Sequence, residues 1–364
     1  MAVNVASAAY KQPRITCAIG QFRDADTYPR LMPRDWGPWT VIKLEALEKY
    51  LSAFAIASQK ARVTLYLDLF GGRPDNRGRG IDEVFEGSAL RAAQVVPPFS
   101  KLIVTELSRS AAAAQRARLD LVAPGRVIVR EGDCNVVMPA ELAKLDRDYR
   151  WAATFALVDQ YSAEVRWETL REIAAFKDPS AKTKAEICMY FGPSFMLRGL
   201  HGPGGKVNAG YARRLDDMYG NTRWRQIMAA REDGVISGDQ AGKELVNLMR
   251  WQLEEDLGYG TTLPLQVRNT VNNKIFSLVF STDHPVGTKI MRDLFEGAEN
   301  ALDLMVLQGK VDRARARDEA SGQGWLLGDD DLAVSLPGER ASRTPLGPPV
   351  EPYKWDRLWD RDQR

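Results

Sequence analysis

The sequence predicts an α/β fold with a mostly parallel central sheet and helices on both faces. Residues 63–67, VTLYL, form a short apolar run that leads into Asp68 and a glycine pair, as expected for a fully buried strand that stops at a loop. Further runs of this kind follow, separated by helical patterns, which indicates βαβ units. Right-handed crossovers place the strand ends on one rim, where open sheets bind ligands.

Composition excludes several classes of protein. The chain has 364 residues, 45% of them hydrophobic, and a formal charge of +2, which fits a globular chain of one or two domains without a global signal for nucleic acid or membrane. We see no secretory signal and no bilayer-spanning run, so we expect a cytoplasmic protein. Three scattered cysteines and two histidines predict neither a disulfide framework nor a metal site.

The first part of the chain leads into the first strand. Residues 1–35 lack a period and predict an N-terminal arm. Residues 39–58 have apolar side chains at helical spacing, and Lys43 lies at the edge of that face, where spacing alone favours a solvated lysine. Residues 73–86 are rich in Gly, Arg and Asp, which predicts a loop. Ser88 is then the expected N-cap of the next helix.

Strands and helices alternate through the next hundred residues. Apolar runs predict strands at 102–105, 127–129, 153–158 and 185–191. Between them, helical patterns predict helices at 108–121, 139–145 and 167–176. Together with the first strand they predict a core domain over residues 36–200.

The second half has a different character. Residues 201–265 open with HGPGG and continue as helices, so we expect a helical insertion. A strand at 273–281 and a helix at 285–307 return to the core, which sets a segment of 266–310. Residues 311–364 turn charged and then rich in Pro and Gly, which predicts an extended tail. Three tryptophans argue that parts of this tail dock on another surface: Trp325, Trp355 and Trp359.

Four of the expected strand ends carry an acid: Asp68, Glu106, Asp133 and Asp159. An acid after the second strand can accept from ribose hydroxyls, and one after the third can accept from an adenine amino group. A nicotinamide cofactor accounts for Glu106 but not for the whole row, whereas S-adenosylmethionine in a class I methyltransferase accounts for all four. The alternative is that these carboxylates only cap the helices that follow.

Short motifs around these acids resemble those of a known family. The segments are, in chain order, WTVIKLEALEKYL (39–51), DLFGGRP (68–74), GSAL (87–90), Glu106, GDCN (132–135), DQYS (159–162), WETL (167–170) and LVFSTDHPVG (278–287). In this order they resemble the three-Cys-motif partner proteins, which are methyltransferase-like and encoded beside a separate three-cysteine protein. DQYS departs from the family's D-P-[FY]-G by losing the proline.

This resemblance implies a fold, a cofactor and site residues. The fold is the Rossmann-like class I methyltransferase fold with a helical insertion, and the cofactor is S-adenosylmethionine. The cofactor-binding residues would be Asp68, Phe70, Gly71, Gly72, Ser88, Glu106, Asp133 and Asn135. Asp159 would accept from the target amine, and Tyr161 would stack on its ring. The family name implies a separately encoded partner protein.

Two function hypotheses remain open at this point. In the first, the chain methylates an amino group of a nucleic acid, held by arginines together with Tyr219 and Trp224 in residues 211–231. The same segment also contains acids, so a mixed-charge helical surface is an equal alternative. In the second hypothesis, the chain is a weakened or inactive methyltransferase-like subunit that acts as an interaction partner.

Overall fold

A computed structural model describes residues 34–36, 38–78, 84–200, 208–321 and 347–352. Its strands are β1 (Arg34–Trp36), β2 (Thr64–Asp68), β3 (Asp75–Gly78), β4 (Val84–Glu86), β5 (Lys101–Glu106), β6 (Val127–Glu131), β7 (Ala153–Val158), β8 (Glu186–Phe191), β9 (Thr261–Arg268) and β10 (Lys274–Thr282). Its helices are α1 (Pro38–Ala57), α2 (Ser88–Ala93), α3 (Arg109–Val122), α4 (Cys134–Ala143), α5 (Trp167–Ala174), α6 (Pro193–Leu200), α7 (Ala209–Tyr219), α8 (Arg223–Glu232), α9 (Gly238–Glu255) and α10 (Pro285–Ser321).

Seven strands form the central sheet in the order β6-β5-β2-β7-β8-β10-β9. The pairs from β6 to β8 are parallel, whereas β10 pairs antiparallel with both β8 and β9. Within this sheet, β10 is therefore the strand that runs against the others. The topology confirms the predicted Rossmann-like class I methyltransferase fold.

Both faces of the sheet are covered. Leu65 and Leu67 of β2 pack into the core beneath α4, α5 and the helices of residues 193–255, whereas Tyr66 packs into the core beneath α1, α2, α3 and α10. Successive side chains of a strand point to opposite faces. A strand covered on both faces is apolar at every position, which explains the continuous run at 63–67.

Helix α1 runs along the strands of the sheet, and its first turns lie at the carboxyl ends of those strands. The Tyr50 hydroxyl donates to Glu186 Oε2 over 2.6 Å, at the residue where β8 begins. Lys43, two turns earlier in the helix, contacts Asp159 just beyond the end of β7. Seven residues of helix rise about 10 Å, so α1 runs from the carboxyl rim of the sheet towards the opposite edge.

Several local predictions in the first half are wrong. Residues 73–86 contain β3 and β4, which pair antiparallel, while β1 pairs parallel with β3. Helix α4 begins at Cys134 rather than at 139, because the Asp133 side chain caps it by accepting from the Asn135 N–H. Ser88 does not cap α2; Gly87 is the N-cap residue, and the Ser88 hydroxyl donates to Asp68.

The second half also differs from the sequence analysis. Helix α6 and strand β9 had not been predicted, and β9 lies partly within the segment assigned to the helical insertion. Helix α10 continues to Ser321, so the predicted helix end at 307 and the tail start at 311 are wrong. The expected N-terminal arm, apart from β1, lies outside the described residues. The same applies to HGPGG and to the three tail tryptophans, and the predicted domain boundaries otherwise stay predictions.

Candidate functional site

The four strand-end acids lie in one row along the carboxyl rim of the sheet. Asp133 follows β6, Glu106 ends β5, Asp68 ends β2 and Asp159 follows β7, and these four strands are neighbours in that order. Strands lie about 4.8 Å apart, so the row spans about 14 Å. The structure therefore places the predicted acids along a single edge, as a ligand-binding rim requires.

A rigid glycine turn connects β2 to this rim. The Gly71 N–H donates to the Thr105 carbonyl over 2.8 Å, and a Cβ at Gly71 would lie 2.5 Å from Val104 Cγ1. Gly72 has a φ of +61°, which favours glycine. The buried Gln115 amide donates to the Gly71 carbonyl over 2.6 Å. Close packing and backbone conformation together require both glycines here.

Glu106 holds this turn in place and still has acceptor capacity. Its two carboxylate oxygens accept from the Gly72 N–H and the Ser108 N–H, each over 2.8 Å. A carboxylate offers about four acceptor sites. One further site therefore remains on each oxygen, enough for the two hydroxyls of a ribose.

Asp68 lies beneath the turn rather than at its surface. It is fully buried and accepts from Ser88 Oγ over 2.7 Å, from the Tyr66 hydroxyl over 3.1 Å and from the Phe70 N–H over 3.2 Å. Burial raises the pKa of Asp68 to about 6, and the charge of Asp159 adds to this effect. Asp68 and Ser88 thus brace the turn, and Phe70 packs partly buried against the core. A direct contact of these three with a cofactor stays a prediction.

Asp133 and Asn135 have different surroundings. The Asp133 side chain is 43% exposed; its Oδ1 accepts from the Asn135 N–H over 2.9 Å, and its Oδ2 lies 3.8 Å from the Arg166 guanidinium. The Asn135 amide donates to the Glu164 carbonyl over 2.8 Å and accepts from the Arg166 N–H and the Thr169 hydroxyl. Asn135 therefore ties α4 to the loop after β7. Its predicted cofactor contact stays a prediction.

Lys43 and Asp159 form a partly buried ion pair at the centre of the rim. Lys43 Nζ lies 2.6 and 2.8 Å from the two carboxylate oxygens, and the side chains are 13% and 24% exposed. The same Nζ lies 5.4 Å from the ring centre of Tyr190 and 5.9 Å from that of Phe276. The expectation of a solvated lysine is wrong, because α1 carries Lys43 one turn before the buried Leu47.

The loop after β7 is braced by Gln160, not by a proline. Gln160 is buried, and its Oε1 accepts from the Glu164 and Val165 N–H groups over 3.0 Å each. Its Nε2 donates to the Tyr190 carbonyl over 3.3 Å. Tyr161, by contrast, is 66% exposed. The structure therefore separates the two predicted catalytic residues, with Asp159 in the ion pair and Tyr161 at the surface.

Two exposed apolar side chains flank the rim and were missed by the sequence analysis. Leu107 is 75% exposed directly after Glu106, and Val136 is 63% exposed in the first turn of α4. Because β5 and β6 are neighbours, these side chains follow adjacent strands. An apolar residue within three positions of a strand-end acid was the signal that could have identified them.

The arginine-rich segment of residues 211–231 is not a stacking platform. Tyr219 and Trp224 are buried; the Tyr219 hydroxyl donates to the Leu245 carbonyl, and Trp224 Nε1 donates to Asp216. Arg225 also pairs with Asp216, over 2.6 Å. The aromatic part of the nucleic-acid prediction is therefore wrong, because both rings belong to the core. Four arginines of this segment are exposed, namely Arg213, Arg214, Arg223 and Arg225, of which Arg225 is the one paired with Asp216.

Other kinds of site have little support in the described part of the chain. There, no group of three or more His, Cys, Asp or Glu side chains is arranged to hold a metal ion. No helix in the same ranges combines the length and apolar character needed to cross a bilayer. Cys134 and Cys188 are buried and free, and burial raises the pKa of each thiol to about 12. Both thiols thus stay protonated at neutral pH.

Several solved structures are similar to this one at low sequence identity. Trm1 from Pyrococcus horikoshii, solved with S-adenosyl-L-methionine, is 11% identical with a TM-score of 0.37, over 73% of this chain and 61% of that chain. M. jannaschii TYW2, in complex with AdoMet, is 10% identical with a TM-score of 0.34, over 70% and 78%. Protein LPL1258 from Legionella pneumophila is 11% identical with a TM-score of 0.38, over 66% and 84%. No protein-family model and no curated protein matches the sequence.

Proposed function

We propose that this chain is an S-adenosylmethionine-dependent methyltransferase that acts on an amino group, and that it is related to the three-Cys-motif partner proteins. The observation that carries the proposal is the row of Asp133, Glu106, Asp68 and Asp159 beside a glycine turn on the carboxyl rim. Asp133, Glu106 and Asp159 supply successive acceptors for an extended ligand that bears hydroxyl and amino donors, and the buried Asp68 supports the glycine turn between them.

The residues present fit such a cofactor. Glu106 keeps one acceptor site on each oxygen beyond its bonds to Gly72 and Ser108, which suits the ribose hydroxyls. The exposed side of Asp133 suits the adenine amino group, and Leu107 and Val136 offer apolar contact to the faces of the adenine ring. When bound, S-adenosylmethionine supplies a methyl group on a sulfonium.

Asp159 is the residue assigned to the methyl acceptor. Its carboxylate already accepts from an amine, because Lys43 Nζ lies 2.6 Å away, and Gln160 fixes the backbone that follows. A carboxylate in this position would accept from the target amino group and orient its nitrogen. A nucleic acid is one acceptor class, for which Arg213, Arg214 and Arg223 would supply phosphate contacts. Base stacking would then depend on Tyr161.

A second candidate function is that of an interaction subunit without turnover, with a separately encoded protein as its partner. The Lys43–Asp159 ion pair favours it, since the lysine neutralises the carboxylate at the position where an acceptor would bind. Cofactor binding without methyl transfer to any amine or nucleic acid would favour this candidate over the first.

Calorimetry with S-adenosylmethionine tests the cofactor assignment. Glu106→Ala should weaken binding about 10- to 150-fold, the equivalent of losing about 1.5–3 kcal/mol from a charge-assisted hydrogen bond. Glu131→Ala is the matched control, because Glu131 is the exposed residue paired with Glu106 on β6, and it should leave affinity unchanged.

Two results would contradict the assignment. One is an unmodified chain that binds no S-adenosylmethionine at millimolar concentration. The other is a Glu106→Ala variant that is folded by circular dichroism and binds as tightly as the unmodified chain.

A further inference from the structure

The ammonium of Lys43 lies in a site formed by one carboxylate and two aromatic rings. Both oxygens of Asp159 contact Nζ, over 2.6 and 2.8 Å, and the rings of Tyr190 and Phe276 lie 5.4 and 5.9 Å away. The two rings support each other, with centroids 4.1 Å apart on the paired strands β8 and β10. This arrangement combines a full negative charge with two π-systems around one cation.

Such surroundings select a charged amine. A cation within about 6 Å of an aromatic ring is attracted by the ring quadrupole, more strongly when the site is shielded from water. Hydrogen bonds between an ammonium and a carboxylate are about twice as strong as neutral ones. The exocyclic amine of a nucleobase also makes a charge-assisted hydrogen bond to the carboxylate, but it is uncharged and therefore gains neither the attraction to the rings nor the ion pairing. The chemistry of the site therefore suits an alkylammonium better than a base.

A second lysine, Lys184, has a similar set of contacts in a place where the ion pair has only a structural role. Lys184 Nζ lies 3.1 and 3.3 Å from the oxygens of Asp283 and 5.3 Å from the Tyr259 ring, and it also donates to the Gly258 carbonyl over 2.6 Å. Lys184 precedes β8, at the edge of the sheet opposite the four acids. Its side chain is 31% exposed, against 13% for Lys43.

The Lys43 site differs from the Lys184 site in its position on the sheet and in the free volume beside it. It lies on the rim with the four acids, and Asp159 is 24% exposed there. Beside it lies a cavity of about 20 Å³ whose lining includes Lys43, Asp159, Leu157 and Cys188, enough room for a water molecule. Lys43 has a flexible four-carbon stem in the second turn of α1, so its ammonium can leave the carboxylate without unfolding the helix.

We propose that Asp159, Tyr190 and Phe276 form a binding site for a protonated primary amine on an alkyl stem, that Lys43 fills it in the free protein, and that the incoming amine displaces Lys43. This rests on the proposed function in taking Asp159 as the residue that faces the acceptor. It changes the acceptor class from a nucleobase to an alkylamine, of the kind found in a lysine side chain or a polyamine. The amine binds as an ammonium and passes one proton to the Asp159 carboxylate that contacts it; its nitrogen lone pair is then free to accept the methyl group, and the electron pair of the broken carbon–sulfur bond stays on the sulfur of the donor.

The experiment uses Lys43→Ala, because n-propylammonium is the fragment that this substitution removes. Calorimetry on the full chain should show binding of n-propylammonium with a Kd of about 1–10 mM. At ten times that Kd, the Tm should rise by about 2–3 °C. 1-Propanol has the same number of heavy atoms without the charge and should give neither effect. Adding Asp159→Asn to Lys43→Ala should abolish binding.

Two comparisons separate a substrate subsite from a filled structural hole. Lys184→Ala, in the more exposed site, should not bind n-propylammonium. The series from n-propyl- to n-hexylammonium should keep or increase affinity for Lys43→Ala if the site opens to the rim. A Kd that rises steeply beyond the propyl chain, or equal binding of 1-propanol, would overturn the proposal. If Lys43→Ala folds only in the presence of n-propylammonium, the result supports the site. If the variant folds in the presence of neither n-propylammonium nor 1-propanol, the result overturns the proposal.

These measurements contain no cofactor. A failure here with normal binding of S-adenosylmethionine would leave the methyltransferase proposal intact and remove the alkylamine as its acceptor. Binding of n-propylammonium in a chain that does not bind S-adenosylmethionine would support the amine site and contradict the methyltransferase proposal.

Discussion

Among single residues, Asp68 is a buried acid whose ionisation opposes folding. It is fully buried, and burial raises its pKa from 3.8 to about 6. The folded state therefore binds a proton more tightly than the unfolded chain between these two values. Stability from this residue is fully present below about pH 4 and is lost as the pH rises through about 6. A buried carboxylate that destabilises the folded state when it ionises, at the end of a central strand, is typical of ligand-binding sites.

Asp68→Asn should remove this pH dependence. The free energy of unfolding at pH 7 should equal that of the unmodified chain or exceed it by about 1–3 kcal/mol, because the charge is no longer buried. Urea denaturation at pH 4.5 and pH 7 measures the difference. Ser88→Ala is the opposite control: it removes a donor to the carboxylate and should destabilise the chain more at pH 7 than at pH 4.5. A larger loss for Asp68→Asn at pH 7 than at pH 4.5 would contradict this account.

Residue roles were only partly accessible from the sequence. The acids could be placed because the end of a strand in a parallel sheet defines the rim. Lys43 could not, because helical spacing gives the face of α1 but not which end of the helix meets the rim. Tyr219 and Trp224 stand among arginines in the sequence, yet the helices bury the rings and expose the charges.

At the level of elements, helix α10 depends on one glycine where it meets the sheet. Glu186 is buried and accepts from the Tyr50 hydroxyl and from Thr282 Oγ1, each over 2.6 Å. Gly287, in the first turn of α10, packs directly over this cluster. A Cβ there would lie 2.5 Å from Glu186 Oε1 and 3.2 Å from the Tyr50 hydroxyl. The close approach of α10 to α1 and β8 thus requires a residue without a side chain.

Gly287→Ala should destabilise the chain by about 1–3 kcal/mol, as inserting a carbon into a packed core does. Gly297→Ala in the same helix is the matched control, because no described atom lies within 4 Å of a Cβ built there. It should stabilise the chain by about 0.5–1 kcal/mol through helix propensity. Chemical denaturation of the two variants gives the comparison, and equal effects at both positions would refute the packing argument.

Two elements show why local patterns fail. Strand β9 was missed because Pro264 interrupts its apolar run, and a proline argues against an interior strand. The start of α4 was misplaced because Pro139 looked like a helix beginning, whereas the helix begins at Cys134 and includes Pro139. In each case a neighbouring element or a cap decided the outcome, and neither can be inferred from the local pattern.

For the molecule as a whole, residues 347–352 fasten the end of the chain to its helical part. The Asn247 amide donates to the Val350 carbonyl over 2.7 Å and accepts from the Val350 N–H over 2.9 Å. The buried Arg250 donates to the Gly347 carbonyl over 2.8 Å and to the Thr262 carbonyl over 3.0 Å. The segment is therefore held by two side chains of α9, and one of them, Arg250, also connects α9 to β9 at the edge of the sheet.

Asn247→Ala should release the segment. The loss of two hydrogen bonds to its backbone should reduce the free energy of unfolding by about 1–2 kcal/mol, and limited proteolysis should cut the chain after residue 340 faster. Gln240→Ala, at an exposed position of the same helix, should change neither quantity. A cleavage rate equal to that of the unmodified chain would show that the two hydrogen bonds do not hold the segment.

The central parallel sheet was more predictable from the sequence than the small second sheet and the docked segment of residues 347–352. Alternating strands and helices determine a parallel sheet, and the order of the motifs placed it among methyltransferase folds. The small sheet of β1, β3 and β4 joins segments about forty residues apart, so no local pattern reveals it. The docking of residues 347–352 is equally non-local, because its partners lie about a hundred positions earlier in the chain.

Pro264 also has a consequence for how copies of this chain behave in concentrated solution. Strand β9 is one border of the central sheet, and an open border invites a strand from another molecule to attach. Proline lacks an N–H and is tolerated in border strands where that missing donor faces outward. At the other border, β6 ends in the charged residues Arg130 and Glu131, which discourage attachment by a different route. Each border thus carries its own protection against intermolecular growth of the sheet and the aggregation that follows from it.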